Sequence, residues 1–257
     1  MSDFNRNYTA AGGGFAADRA VAIDQGLRAH MLRVYNYMAG GVGLTGIVAW
    51  LAYQAAGGDA ILVSGRTVSG LTPFGQAIFQ GPLMWVLLLA PLGLVFFLSY
   101  RIANLQVSTA RLLFFIYAGL LGLSLASVFL VYTQTSLTRV FFITAASFGA
   151  LSLWGYTTKR SLDAMGSFMM MGLFGIIIAS LVNIFLASSA LYWAISVGGV
   201  LIFAGLTAWD TQKIKEMYDV MDDGTIAGRK AVMGALALYL DFINMFLFLL
   251  RLFGDRR

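Results

Sequence analysis

The chain of 257 residues is 59% hydrophobic and only 11% charged, against about 45–50% and about 25% in soluble domains. With a mean hydropathy of +0.79, it has more apolar surface than one water-facing core can hide and too little charge to stay disordered and solvated. Its formal charge is +5. With no cysteine and one histidine, the sequence excludes disulfides, thiolate chemistry, Cys-ligated zinc or iron–sulfur centres and multi-His metal sites.

The first 33 residues are polar and rich in Gly and Ala. Within them Ala20, Ile23, Leu27 and Met31, followed by Val34, recur at three- and four-residue steps. This predicts a cytoplasmic arm over 1–33 that carries an amphipathic helix lying on the membrane surface, followed by a transmembrane domain over 34–257. No apolar core with a cleavage site is seen here, so no signal peptide is expected.

Seven apolar runs follow, at about 34–54, 81–100, 112–132, 140–158, 166–186, 190–209 and 232–253. Each approaches the ~20 residues needed to cross a bilayer core. The expected fold is an all-α integral membrane protein, a seven-transmembrane-helix bundle. The last run is apolar on nearly every side, as expected of a helix enclosed by the others. Pro91 falls inside the second run and should bend it. Trp50, Tyr53, Tyr100, Tyr132, Trp154, Tyr156, Tyr192, Trp193 and Trp209 sit near run boundaries and read as an interfacial aromatic belt. The glycines within the runs read as close helix contacts, because no phosphate-loop pattern surrounds them.

Lys and Arg cluster between the runs rather than along one stripe, which speaks for membrane topology and against nucleic acid. With the N-terminus inside, 12 basic residues fall in cytoplasmic segments. Five (Arg66, Arg139, Arg251, Arg256 and Arg257) fall outside. The positive-inside rule therefore predicts a cytoplasmic N-terminus and an external C-terminus.

Asp241 is the only carboxylate well inside a run. Asp at a helix centre costs about 2.5–3.5 kcal/mol on insertion scales, so it reads as a functional site until a packing role explains it. Gly234, Ala237, Asp241 and Asn244 are spaced by three, four and three, which puts small and polar groups on one stripe. Asn244 is thereby a candidate pore-lining residue. Asp210 ends the sixth run, and on spacing alone it faces cytoplasmic water. The loop after it, from Lys213 to Lys230, mixes both charges and reads as a solvated connection. Its Asp219–Gly224 stretch lacks regular EF-hand spacing. Arg101 closes the second run at the same face as Asp210, either as a positive-inside anchor or as half of a salt bridge.

A retinal pigment needs a lysine within a helix, and a Ser–His intramembrane protease needs a helix-borne histidine. The runs contain neither. Two membrane carboxylates leave an aspartyl intramembrane protease formally open, but the chain is not expected to be an enzyme.

The stretch from Ala235 to Phe246, Ala-Leu-Ala-Leu-Tyr-Leu-Asp-Phe-Ile-Asn-Met-Phe, is followed by Leu249-Leu250-Arg251. It closely resembles the last-helix signature of the Bax inhibitor-one (transmembrane Bax inhibitor motif) family. Asp210-Thr211-Gln212, about 30 residues earlier, matches that family's second hallmark. The resemblance implies a seven-helix bundle with the last helix central and a pH-dependent calcium leak. It implies an aspartate pair, Asp210 and Asp241, as pH sensor and candidate calcium-binding site, and Arg101 as the latch on one of them. Family members in animals and plants are linked to suppression of cell death, and one bacterial branch to a membrane-anchored protease. The second run here ends in a single Arg where some relatives carry a basic cluster. The layout suggests a bacterial inner membrane.

Two functions from different classes follow. The first is a pH-sensitive cation leak channel or transporter with calcium as the ion and no resident cofactor. The second is a non-transporting membrane interaction protein that modulates a membrane protease or a stress response.

Overall fold

The computed structural model describes residues 4–64 and 67–256, with side chains for 24–61 and 69–256. Arg66 and Arg257, and the side chains of Arg6 and Arg19, lie outside what is described.

Helix α1 (Phe4–Ala55) is continuous. The boundary expected near residue 33 is therefore not a break. The apolar stripe of the arm runs on into the first span, and Met31, Val34, Met38 and Val42 are buried in the bundle. From Met31 onward this stripe faces other helices, because a straight helix keeps its i, i+3, i+4 positions on one side.

The connection to the second span is ordered. A short helical turn leads into a hairpin of β1 (Leu62–Ser64) and β2 (Thr67–Ser69), with Leu62 opposite Ser69. Gly57, at φ 131°, makes the turn in a backbone region that disfavours side chains. Helix α2 (Pro73–Phe79) follows, with the Thr72 hydroxyl accepting from the Gly75 N–H at 3.1 Å and proline in its first turn. Tyr53, expected in the aromatic belt, is instead fully buried beneath this cap and stacked on Phe129. Tyr132 is buried as well.

The other helices are α3 (Leu83–Arg101), α4 (Val107–Leu125), α5 (Val128–Val131), α6 (Gln134–Thr157), α7 (Asp163–Leu186), α8 (Ser189–Glu216) and α9 (Gly224–Phe253). Helix α3 continues through Pro91. Among the described residues, seven helical segments are long and apolar enough to cross a membrane. They overlap the seven apolar runs one for one. Helix α9 is the most enclosed of them, with 67% of its apolar window buried, whereas none of the α7 window is. Helices α1, α4, α6 and α8 pack around α9, while α3 leans on α4 and α7 on α8.

The helix ends fall into two opposite groups. At one, Tyr218 from the α8–α9 connection lies against Gly26 of α1, and the Arg229 Nε donates to the Leu105 carbonyl at 2.6 Å. At the other, the tail after α9 pairs with the start of α6. The Thr133 N–H donates to the Asp255 carbonyl at 3.1 Å, and the Asp255 N–H to the Ser136 hydroxyl at 2.9 Å.

Candidate functional site: an aspartate pair between three helices

Helix α9 carries Ala237, Asp241, Asn244, Phe248 and Arg251 at steps of four, three, four and three. All five line one cavity of about 600 Å³. Helix α8 supplies Phe203, Leu206, Trp209 and Asp210, and the loosely packed α7 supplies an apolar wall that includes Ser180. The cavity persists because α7 rests on α8 rather than on α9.

Asp210 and Asp241 come together here. Their side chains are within hydrogen-bonding reach of each other. Asp241 is buried, and its Oδ2 has no hydrogen-bond partner among the described residues. Asp210 is half-buried, so the water-facing placement expected from spacing alone is corrected. It lies some six residues before the end of α8, and the turn of the helix aims it at α9. The Asn244 Nδ2 donates to the Leu240 carbonyl at 2.8 Å, which turns its amide oxygen free of that bond.

The neighbours of Asp210 have separate tasks. The Thr211 hydroxyl donates to the Thr207 carbonyl at 2.7 Å and lies 2.9 Å from the Ser152 hydroxyl. Ser152 in turn is 2.6 Å from the Tyr35 hydroxyl, which ties α8 through α6 to α1. The Gln212 Oε1 accepts from the Leu162 N–H at 2.7 Å, and its Nε2 donates to the Arg160 carbonyl at 2.9 Å. Gln212 thus satisfies the backbone between α6 and α7, where no helix ladder can.

Arg101 is not brought to Asp210. It ends α3 exposed to solvent, and among the described residues no ion pair joins the two. The cation whose field reaches Asp210 is Lys213, three residues on along α8. The residue that fastens the α3–α4 connection to α9 is Arg229.

The 213–230 segment is not simply a solvated connection. The Lys215 Nζ donates to the Tyr156 carbonyl at 2.8 Å. The Lys230 Nζ pairs with Asp222 at 2.6 Å and donates to the Met217 carbonyl at 2.8 Å. Asp223 caps α9, its Oδ1 accepting from the Ile226 N–H at 2.7 Å, and the Asp219 Oδ1 accepts from the Met221 N–H at 2.9 Å. These acidic residues hold the connection and the start of α9 in place. Sequence reasoning also missed His30. It is buried, its Nε2 has no partner among the described residues, and its ring lies 5.8 Å from that of Tyr218. An apolar-stripe count offered no signal for it, because His30 lies one residue off the stripe.

Among the described residues, no three His, Cys, Asp or Glu side chains gather as a metal site. The pair with Asn244 offers fewer oxygens than the 6–8 that calcium takes.

Comparison with known proteins places the chain in a family. A family profile described as "Inhibitor of apoptosis-promoting Bax1" (Bax1-I) matches residues 27–257. The chain belongs to the Bax inhibitor-one family. It is 48% identical over 259 residues to an uncharacterized protein of Rickettsia prowazekii, covering 100% of both chains. It is 43% identical over 243 residues to the inner membrane protein YbhL of Escherichia coli, covering 94% of this chain and 97% of that one. An uncharacterized protein of Caulobacter vibrioides is 44% identical over 264 residues, again across 100% of both. This member of the family is a multi-pass membrane protein, in which Asp210 of α8 meets Asp241 of the central helix α9.

Proposed function

We propose that the chain is a pH-responsive cation leak pathway of a bacterial inner membrane, with calcium as the ion carried. The observation that supports this reading is the meeting of two carboxyl groups in a cavity between α7, α8 and α9, one of them with an oxygen that has no partner among the described residues. Two carboxyl groups in a poorly hydrated site do not both ionise cheaply, so they titrate as a unit. Loss of the shared proton adds negative charge where a hydrated cation enters. Asn244 offers an amide oxygen one helical turn away. The reading assigns no enzymatic step and no resident cofactor.

In this reading the N-terminus and the 213–230 segment face the cytoplasm. Arg101 acts as a latch in a state where the end of α3 has moved toward Asp210. The test is reconstitution of the purified protein into calcium-free liposomes that enclose a calcium dye. Flux with protein alone, varying with pH, is expected. No flux at any pH from folded protein defeats the transport reading and leaves the chain as a modulator of another membrane protein, such as a membrane-anchored protease.

A further inference from the structure

The cavity that holds the aspartate pair does not end at Asn244. It continues along the same stripe of α9 to Arg251, ten residues beyond Asp241 and so about 15 Å further along the axis at ~1.5 Å per residue. Arg251 is exposed, and two aromatic rings hold it in place. Its guanidinium carbon lies 5.1 Å from the Phe248 ring centre and 5.9 Å from that of Tyr192. Cation–π contacts fix a guanidinium without cancelling its charge. Among the described residues no carboxylate pairs with Arg251, and Asp255, four residues further on, pairs with Arg139 at 3.6 Å. The cavity therefore has negative-capable groups at its buried end and, at the exposed end that forms its mouth, a cation seated against two rings with no carboxylate partner among the described residues.

We propose that this mouth is an access path to the aspartate pair and that Arg251 is its electrostatic guard. It slows the entry of small cations and admits small anionic or neutral solutes more readily. The same wall contributes Ser180 from α7, so α7 and α9 form the two sides of the opening. Arg251 touches no bound ion. It sets the local potential, a specificity-determining role within the proposed cation path on which this inference rests.

The absence of native cysteine permits a test that does not require transport. Asn244→Cys places a thiol in the cavity between Arg251 and Asp241. Ser180→Cys, nearly isosteric, places one on the α7 side and serves if the first variant folds poorly. The purified full chain is reacted with 2-aminoethyl methanethiosulfonate, a cation, and with 2-sulfonatoethyl methanethiosulfonate, an anion. The ratio of the two rates is then compared across Arg251 variants. Arg251→Met keeps the stem and removes the charge; Arg251→Lys keeps the charge. One charge within about 10 Å of a path in a medium of effective dielectric constant ~20 should change each reagent's rate on the order of tenfold, in opposite directions, and so change the cation-to-anion rate ratio on the order of a hundredfold.

The expected result is a higher ratio in Arg251→Met and a ratio close to the parent in Arg251→Lys. An unchanged ratio in folded Arg251→Met overturns the guard. Thiols at both positions that resist both reagents overturn the path itself. A protein that labels as expected yet carries no calcium in liposomes keeps the guarded cavity and loses only the transport reading.

Discussion

Asparagine at position 241 or 210 keeps the shape of the side chain and removes its capacity to ionise. Asp241 is buried, one of its oxygens has no partner among the described residues, and it interacts with Asp210. If the two titrate as one unit, Asp241→Asn and Asp210→Asn should each flatten the pH dependence of calcium flux, because each removes a member of a shared titration. Neither change should unfold the chain, since an amide is cheaper to bury than a carboxylate. Flux measured against pH at matched reconstitution checks this. A wild-type profile in both variants would make Asp241 a neutral packing residue. Tyr239, two residues earlier on α9, illustrates the packing role on the opposite side of the helix. Its hydroxyl lies 2.6 Å from that of Thr45, and its ring meets those of Phe114 and Tyr117 edge-on. One helix thus carries a satisfied polar lock toward α1 and α4, and an unsatisfied carboxyl toward the cavity.

At the scale of elements, the glycines separate close helix contacts from open faces. A Cβ at Gly155 of α6 would run into the Ala208 carbonyl oxygen and lie 2.9 Å from the Ala208 Cα. Backbone cannot swing aside as a side chain can, so α6 and α8 would have to part. That contact lies two residues before Asp210, so α6 holds the segment of α8 that presents this carboxyl. Gly155→Ala should cost about 1–3 kcal/mol, the usual range for overpacking. On the same helix, a Cβ at Gly149 would meet nothing within 4 Å. Gly149→Ala should be neutral or stabilise by up to about 1 kcal/mol through helix propensity. Thermal unfolding of the two variants in the same detergent checks the contrast, and equal midpoints would remove the close approach as a source of stability.

The whole molecule sorts its basic residues by end. The group of helix ends that holds Arg229, Lys215 and Lys230 also holds the α6–α7 connection with Lys159 and Arg160. Arg139, Arg251 and Arg256 lie at the other, where Arg256 donates to the Tyr192 hydroxyl at 3.1 Å. The positive-inside rule predicts that the first group faces the cytoplasm. Met221, 85% exposed in the α8–α9 connection, is a suitable reporter. Met221→Cys should resist membrane-impermeant thiol reagents applied to intact cells and react after the membrane is opened. Arg256→Cys should react from outside. The reverse pattern would invert the topology without altering the bundle.

Much of this was legible in the order of residues, because the bilayer imposes a length and a composition on every helix that crosses it. The seven spans could be counted, and Asp241 stood out, because a lone carboxylate in an apolar run costs energy wherever the helix packs. The Asp-Thr-Gln element could be found only as a motif. That its Asp meets α9, its Thr reaches α6 and its Gln ties down the α6–α7 connection depends on helix rotation and crossing, which no single-helix pattern encodes. Tertiary contact alone decided that α1 runs unbroken through the expected boundary near residue 33, that His30 and Tyr53 are buried, and that the charged segment after α8 is bonded into place. It also decided the cavity. A void between α7, α8 and α9 exists because α7 leans on one neighbour and not on the other, and a choice of partner is a property of the packed bundle rather than of any stretch of chain.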